Sequence, residues 1–490
     1  MPKGPILNNI SKSFTTRDNL GIEGVATTIQ ASICPIINTV TPRVFYWPFL
    51  VWIYYDFYRH SEAEKVTADA FSDYLKRQDY FFIMANLLVD GSDKNGLVGK
   101  QQTAIDIDNN KNGPYKYNPS YFKSRYGGMQ YYNAGCLSMY FIIDRDPEID
   151  KQLNVPKLTK EGEQLALAFQ SVIRNTEYYK RYRLRKDDVP KHVLEEYGRA
   201  IRFDFQGFTE CKEIMKKFFF EDTRAIQLRS RSELLTESRE YVKLLVQQYG
   251  IPEMRGIELR RALYDYRLHD GTMIIIPETL KTVANKWEIV IGRQYFTLGL
   301  EMIWKKMLEQ LSFPMTKMEW VRSVFGNSEF SLAIQKPLES IVDDCDLSFD
   351  EIEDVISDAM HGQKMELCVE NGLRVILAVY NRFSKKTDFG DEKAFLEYGA
   401  DTQSIAIVEL FEKVKEYKGK PCVAFLQFII EEWLIEQHYL TAFGKMLQGR
   451  DGFYYELIDG KYVRKHYFDL DFQGIRLTSL TQVMRDLNIL

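Results

Sequence analysis

The densest chemistry in the chain is the run RNTEYYKRYRLRK, residues 174–186. Six cations, Arg174, Lys180, Arg181, Arg183, Arg185 and Lys186, stand against one carboxylate, Glu177. Tyr178, Tyr179 and Tyr182 interleave with them. Cations at this density neutralise phosphates and release their counterions, and tyrosine rings can stack on bases or sugars. The competing reading is an amphipathic helix with half-buried tyrosines and solvated cations. A second group of cations, Arg450, Lys461, Arg464 and Lys465, falls near the C-terminus, where they would lie along a phosphate backbone if the segment were a wing.

One arrangement could support catalysis. Asp204 precedes Glu210-Cys211-Lys212 in IRFDFQGFTECK. Metal-dependent nucleases of the PD-(D/E)xK type set such an Asp and E-x-K on adjacent strands. The carboxylates then hold Mg²⁺ and the Lys steadies the attacking water. A chain of this size contains roughly two E-x-K triplets by chance, and the spacing here is short. Other catalytic signatures are absent. No phosphate-binding G-x-x-x-x-G-K-[ST], no G-x-G-x-x-G after a strand and no G-x-S-x-G elbow occurs. His60, His192, His269, His361, His438 and His466 are far apart, and the six cysteines form no C-x-x-C pair. The sequence therefore calls for no metal and no cofactor.

These residues need elements to position them. Thr159 is a predicted N-cap for a helix over 160–174, whose Leu165, Ala168, Phe169 and Val172 share one face. The segment before it, MQYYNAGCLSMYFIID, reads as a helix and a short strand. Helix, strand, loop and capped helix in that order give a winged-helix-like module ending at the basic run. At the other end, 421–447 reads as an amphipathic helix. Asp459-Gly460 is a hairpin signal between alternating segments, and 475–487 reads as a short helix.

Between these modules the pattern is helical. Val44–Tyr58 is a strongly apolar aromatic run, too short to span a bilayer and interrupted by Pro48 and Asp56, so it reads as a buried helix. Thr41-Pro42 is a predicted start for it. Residues 63–89 read as a helix, 90–119 as an irregular loop, and 281–311 as a long bundle helix. Gly250-Ile251-Pro252 is a predicted turn between helices. The acidic run 343–358 fails the calcium-loop spacing and is a solvated face, with Ser348-x-x-Glu351 as a capping box.

Composition sets the outer limits. The chain has 490 residues, 45% hydrophobic and 27% charged, which excludes a wholly disordered chain or a disulfide-built miniprotein. The net charge of −5 excludes a histone-like polycation without forbidding a local basic face. Scattered cysteines suggest a reducing cytoplasm, and the N-terminus lacks the apolar core of a signal peptide.

The strings RDNLGIEG, TPRVFYWPFLVWIY, SRYGGMQYY, LTKEGEQLA and the terminal MRDLNIL resemble poorly characterised bacterial families of anti-phage defence islands. Those families are encoded beside helicases, ATPases or nucleases. The matching residues are Leu20-Gly21-Ile22, Thr41-Pro42-Arg43 with Phe45-Tyr46, and residues 449–456. The resemblance covers both ends and residues 120–175. It implies a bacterial cytoplasmic setting and a multi-component system with ATPase, helicase or nuclease partners.

The sequence thus predicts a mainly α, multidomain α+β protein of helical bundles with winged-helix-like modules carrying short hairpins. The expected divisions are 1–90, helical; 91–186, loop and winged-helix-like module; 187–420, bundle; and 421–490, helix-hairpin-helix. The expected role is a non-enzymatic DNA-binding or adaptor subunit of a bacterial defence or mobile-element system, without membrane association. A metal-dependent nuclease using Asp204, Glu210 and Lys212 is one alternative, and a purely protein-binding scaffold is another.

Overall fold

Three local signals in the sequence produce the elements they predict. Thr159 accepts the Gly162 amide and starts the helix Lys160–Ile173. Ser348 and Glu351 form a reciprocal capping box on Phe349–Met360, satisfying two backbone donors at that helix start. Asp459 and Gly460, with φ of +48° and +78°, turn the hairpin between Tyr455–Ile458 and Lys461–Arg464. Both positive φ values are those a two-residue turn needs to match strand twist.

The computed structural model describes residues 18–61, 66–91, 93–124, 126–143, 155–221, 225–226, 229–251, 254–325, 328–386, 393–398 and 404–490. The chain is mainly helical. Among the described residues, strands occur only in short antiparallel pairs. No helix there is long and apolar enough to cross a membrane. The N-terminal stretch read for a leader and residues 144–154, within the segment read as winged-helix-like, lie outside the described residues.

Two compact units form, each discontinuous in sequence. One comprises residues 1–33 and 249–474, the other 34–248 and 475–490. The helix Arg476–Asp486, expected in one module with the hairpin, thus packs with residues 34–248.

The unit of 34–248 and 475–490 is built on the aromatic helix Tyr46–His60, buried from Tyr46 to Phe57. Helices Lys160–Ile173, Gln130–Ser138 and Ala68–Leu88 surround it. The core between them is largely phenylalanine: Phe45 stacks on Phe82 at 4.7 Å and Phe169 on Phe208 at 5.0 Å. Two expectations are corrected here. Thr41 is not a helix cap; its hydroxyl accepts the Asn38 amide, and the helix begins only after Phe45. The 90–119 segment is not wholly a loop, because Lys100–Asn109 is a helix that buries only Thr103. With so little of it buried, it lacks the apolar stripe that would reveal it in sequence.

The other unit is built on Lys281–Gln310, a helix buried on nearly every side. Its main neighbour is Cys368–Ser384. These helices approach through a glycine pair. A Cβ on Gly372 would lie 2.6 Å from the Gly299 carbonyl oxygen, and one on Gly299 would lie 2.9 Å from that of Gly372. Gly372→Ala should therefore cost about 1–3 kcal/mol despite alanine's higher helix propensity, since helix backbone is the obstacle. Urea denaturation checks this, and an unchanged midpoint would contradict it.

Candidate nucleic-acid interface

The basic run begins where the Lys160–Ile173 helix ends. Its backbone continues as a single wide π-helical turn over Tyr178–Tyr182. The turn is anchored from below. Tyr178 is buried, stacks on Tyr197 at 4.3 Å and donates its hydroxyl to Gln78 Oε1 at 3.1 Å. Gln78 Nε2 in turn donates to the Arg183 carbonyl at 2.8 Å. Arg77 holds the following loop through the Asp187 carbonyl at 3.1 Å. The segment is thus fixed to the helix Ala68–Leu88 by buried hydrogen bonds, while its outer side chains stay in solvent.

Five of the six cations are on that outer side. Arg174, Lys180, Arg181, Arg185 and Lys186 are exposed. Arg181 pairs with Glu177 at 3.0 Å, and Arg185 lies 4.0 Å from Asp187. Such exposed pairs contribute about 0–1 kcal/mol and can exchange for a phosphate. Arg174 and Lys186 have no ion pair among the described residues. Tyr179 and Tyr182 are half-buried, so each has a partly accessible edge.

Arg183 is the exception. Its Nε donates to Asp56 at 3.1 Å, its guanidinium stacks on Tyr179 at 3.9 Å, and its side chain is only 11% exposed. Asp56 is buried and also accepts the Tyr74 hydroxyl. Burial first, and then the Asp56 charge, hold the Tyr74 hydroxyl protonated far above neutral pH. Arg183 therefore secures the turn to the helix Tyr46–His60. Tyr178 is likewise a buried anchor.

The fold adds a cation the sequence did not suggest. Arg59, at the end of Tyr46–His60, is exposed, and its charge acts on Tyr179. It is far from the basic run in sequence, and no local pattern marked it.

The residues of the nuclease alternative are arranged otherwise. Glu210 and Lys212 lie on the helix Thr209–Phe220, not on a strand. Two positions apart on a helix, they point to different sides. Glu210 is exposed, whereas Lys212 is buried and donates to Asn488 Oδ1 at 3.1 Å. Asp204 is held by Arg202 and by the Gln206 amide. Burial raises its pKa, but those hydrogen bonds outweigh it and the carboxyl lies below its usual range. Among the described residues no group of three His, Cys, Asp or Glu side chains is placed to hold a metal ion.

The six cysteines are free and buried. Burial pushes the thiols of Cys345 and Cys368 up to about 11 and those of Cys34 and Cys422 to about 12, so they stay protonated and unreactive at neutral pH.

The C-terminal cations divide similarly. Arg464 donates to the Leu308 carbonyl at 3.3 Å and stacks on Tyr467 at 4.0 Å, and Lys465 pairs with Asp451. Arg450 and Lys461 are exposed and have no ion pair among the described residues. These four lie in the unit of 1–33 and 249–474.

The fold and this surface define a mainly helical protein carrying an anchored, solvent-facing basic turn. No protein-family model, curated protein or solved structure matches the chain.

Proposed function

We propose that the chain is a non-enzymatic DNA-binding subunit whose contact surface is the outer side of residues 174–186. The observation that carries this reading is the separation of roles within the run. Tyr178 and Arg183 face inward and hold the backbone, while Arg174, Lys180, Arg181, Arg185 and Lys186 stay in water. A pre-set array of cations loses little conformational entropy on meeting a phosphate backbone. Arg59 extends the same surface. The helix Gln130–Ser138, the strand pair Ile142–Ile143 with Lys157–Leu158 and the capped helix Lys160–Ile173 follow the order read from the sequence, and reading them as winged-helix-like favours a DNA partner.

The wider setting, a bacterial defence system with ATPase, helicase or nuclease partners in the cytoplasm, rests on the sequence resemblance. The buried, unpaired thiols agree with a reducing compartment.

Fluorescence anisotropy of the full chain with a duplex oligonucleotide tests the reading. If three to five cations contact phosphates, log affinity should fall with log salt at a slope of about −3 to −4.5. The triple variant Arg181→Glu/Arg185→Glu/Lys186→Glu should bind far more weakly and flatten that slope by about 3. Lys415→Glu/Lys418→Glu, an exposed pair in the other unit, should bind as wild type. A triple variant that retains wild-type affinity and slope would refute the assignment.

A further inference from the structure

We propose that the free edge of the strand Tyr455–Ile458 docks an extended peptide of a partner protein. That peptide would place an apolar or aromatic side chain in the adjoining pocket and a carboxylate on Arg450. This surface is distinct from the basic turn and does not depend on DNA binding.

In the hairpin register Leu457 lies opposite Tyr462, and Tyr455 opposite Arg464. The Tyr462 amide donates to the Met315 carbonyl at 2.7 Å, and the Met315 amide donates back to Tyr462 at 3.1 Å. Tyr462 therefore turns its backbone groups away from the hairpin. In an antiparallel pair the residue opposite does the same, so Leu457 aims its N–H and C=O outward; Tyr455 shares that backbone orientation but is buried, which leaves Leu457 as the accessible donor–acceptor pair. Met315 occupies the outer edge of Lys461–Arg464. Among the described residues no strand occupies the outer edge of Tyr455–Ile458.

The four-residue edge carries no proline, lysine or bulge, and Glu456 is its one charge. Edge strands are normally blunted by proline, lysine or a bulge, because their unpaired backbone groups recruit other chains. Here Leu457 is 61% and Ile458 48% exposed. The neighbouring helix Gln437–Leu447 adds exposed Leu440, Phe443 and Leu447. A solvated edge beside exposed apolar side chains costs solubility unless a partner covers it.

A pocket of about 460 Å³ lies along the same strand. Tyr439, Met446, Phe453, Tyr455, Leu457 and Tyr462 form much of its wall. Arg450 and Glu456 are exposed charges at its lining. Asp451 is occupied by Lys465 and the Phe453 amide, which leaves Arg450 as the cation available to an acidic residue. The outward N–H and C=O of exposed Leu457 beside an apolar pocket match one residue of a peptide backbone, in the manner of strand addition. A phosphodiester chain would satisfy the donor and leave the carbonyl unpaired.

The test uses the full chain and fluorescent synthetic peptides that alternate Phe with Thr or Val and carry one Asp walked along the sequence. A subset should bind, with affinity set by the Asp position. N-methylating alternate amides in one register should abolish binding, and methylating the other register should leave it. Arg450→Glu should weaken binding about tenfold or more. Leu457→Pro should remove it without breaking a hairpin bond, because that amide faces outward. Peptide N-methylation needs no protein variant, so it stays decisive if Leu457→Pro fails to fold. Failure of every peptide to bind, or indifference to N-methylation in both registers, would overturn the proposal. So would binding of a single-stranded oligonucleotide that is lost in Arg450→Glu and retained in Leu457→Pro. Because none of these residues lies in the basic turn, failure here leaves the duplex-binding result standing, and the reverse also holds.

Discussion

Arg43→Met should destabilise its unit by about 3–5 kcal/mol, the largest effect expected of any single substitution here. The Arg43 guanidinium is 1% exposed. It donates to Asp486 Oδ2 at 3.0 Å, to Asp93 at 2.8 Å and to the carbonyls of Asn95 and Phe203 at 2.7 and 3.0 Å. It also lies 4.4 Å over the Phe203 ring. Asp486 is itself buried and additionally accepts the Val44 amide at 3.0 Å. Removing the cation leaves a buried carboxylate and two carbonyls without their donor, and that desolvation cost dominates. Arg43→Met/Asp486→Leu should recover part of the loss, since replacing both charges with apolar groups removes the uncompensated charge. Urea denaturation of wild type, both single variants and the double variant measures the coupling. A loss below about 1 kcal/mol in Arg43→Met would contradict the geometry. Arg43 and Asp486 belong to the strings TPRVFYWPFLVWIY and MRDLNIL. Their pairing gives those strings a structural reason independent of any ligand.

The second large effect is a pair of pH dependences of opposite sign, each contributed by one buried group, His438 in one unit and Asp79 in the other. His438, in the unit of 1–33 and 249–474, is buried between two backbone groups. Its Nδ1 donates to the Asn19 carbonyl at 3.0 Å, and its Nε2 accepts the Tyr454 amide at 3.2 Å. Both nitrogens are used by the neutral ring, and burial pushes its pKa from 6.5 down to about 4. Between those values the unfolded chain binds the proton and the folded one does not. The contribution of His438 is therefore full above about pH 6.5 and falls by about 3 kcal/mol as pH drops toward 4, while the buried Glu301 of the same unit, its pKa raised by burial, acts with the opposite sign.

Asp79, in the other unit, behaves in reverse. It is fully buried, accepting the Tyr121 hydroxyl at 2.6 Å and the Gly128 amide at 2.8 Å. Burial raises its pKa from 3.8 to about 6 against the pull of both hydrogen bonds. The folded state then holds the proton that the unfolded state has lost. Its contribution is full below about pH 4 and declines by about 3 kcal/mol as pH rises through 6. Hydrogen exchange on peptides from each unit between pH 4 and 7, compared between wild type and the matching variant, should isolate each contribution after correction for intrinsic exchange rates. His438→Gln should flatten the first trend and Asp79→Asn the second. If both units lose stability together on acidification and neither variant alters the slope, the assignment of these two groups is wrong.

Local chemistry made part of this protein legible. Thr159, the Ser348/Glu351 box and Asp459-Gly460 act within a few residues of themselves, so their outcomes are written in the chain. The aromatic run 44–58 and the long apolar pattern of 281–311 are strong enough to fold as the helices expected. The 100–109 helix was hidden because it buries almost nothing. Thr41 misled because a threonine before a proline caps a helix only when the next residues adopt helical dihedrals, and here its hydroxyl serves Asn38.

The basic run shows the division most clearly. Its charge and tyrosine content are properties of composition, fixed before folding. Which members face water depends on partners far away in sequence: Asp56 takes Arg183 inward, and Gln78 and Tyr197 bury Tyr178. The same holds for Arg43 and Asp486, and for Glu210 and Lys212 on the sides of one helix. Spacing along the chain determines helices, caps and turns because those forces act over one or two turns of backbone. Only the tertiary fold decides which charge is paired, since a buried ion must find its counterion wherever packing has brought one.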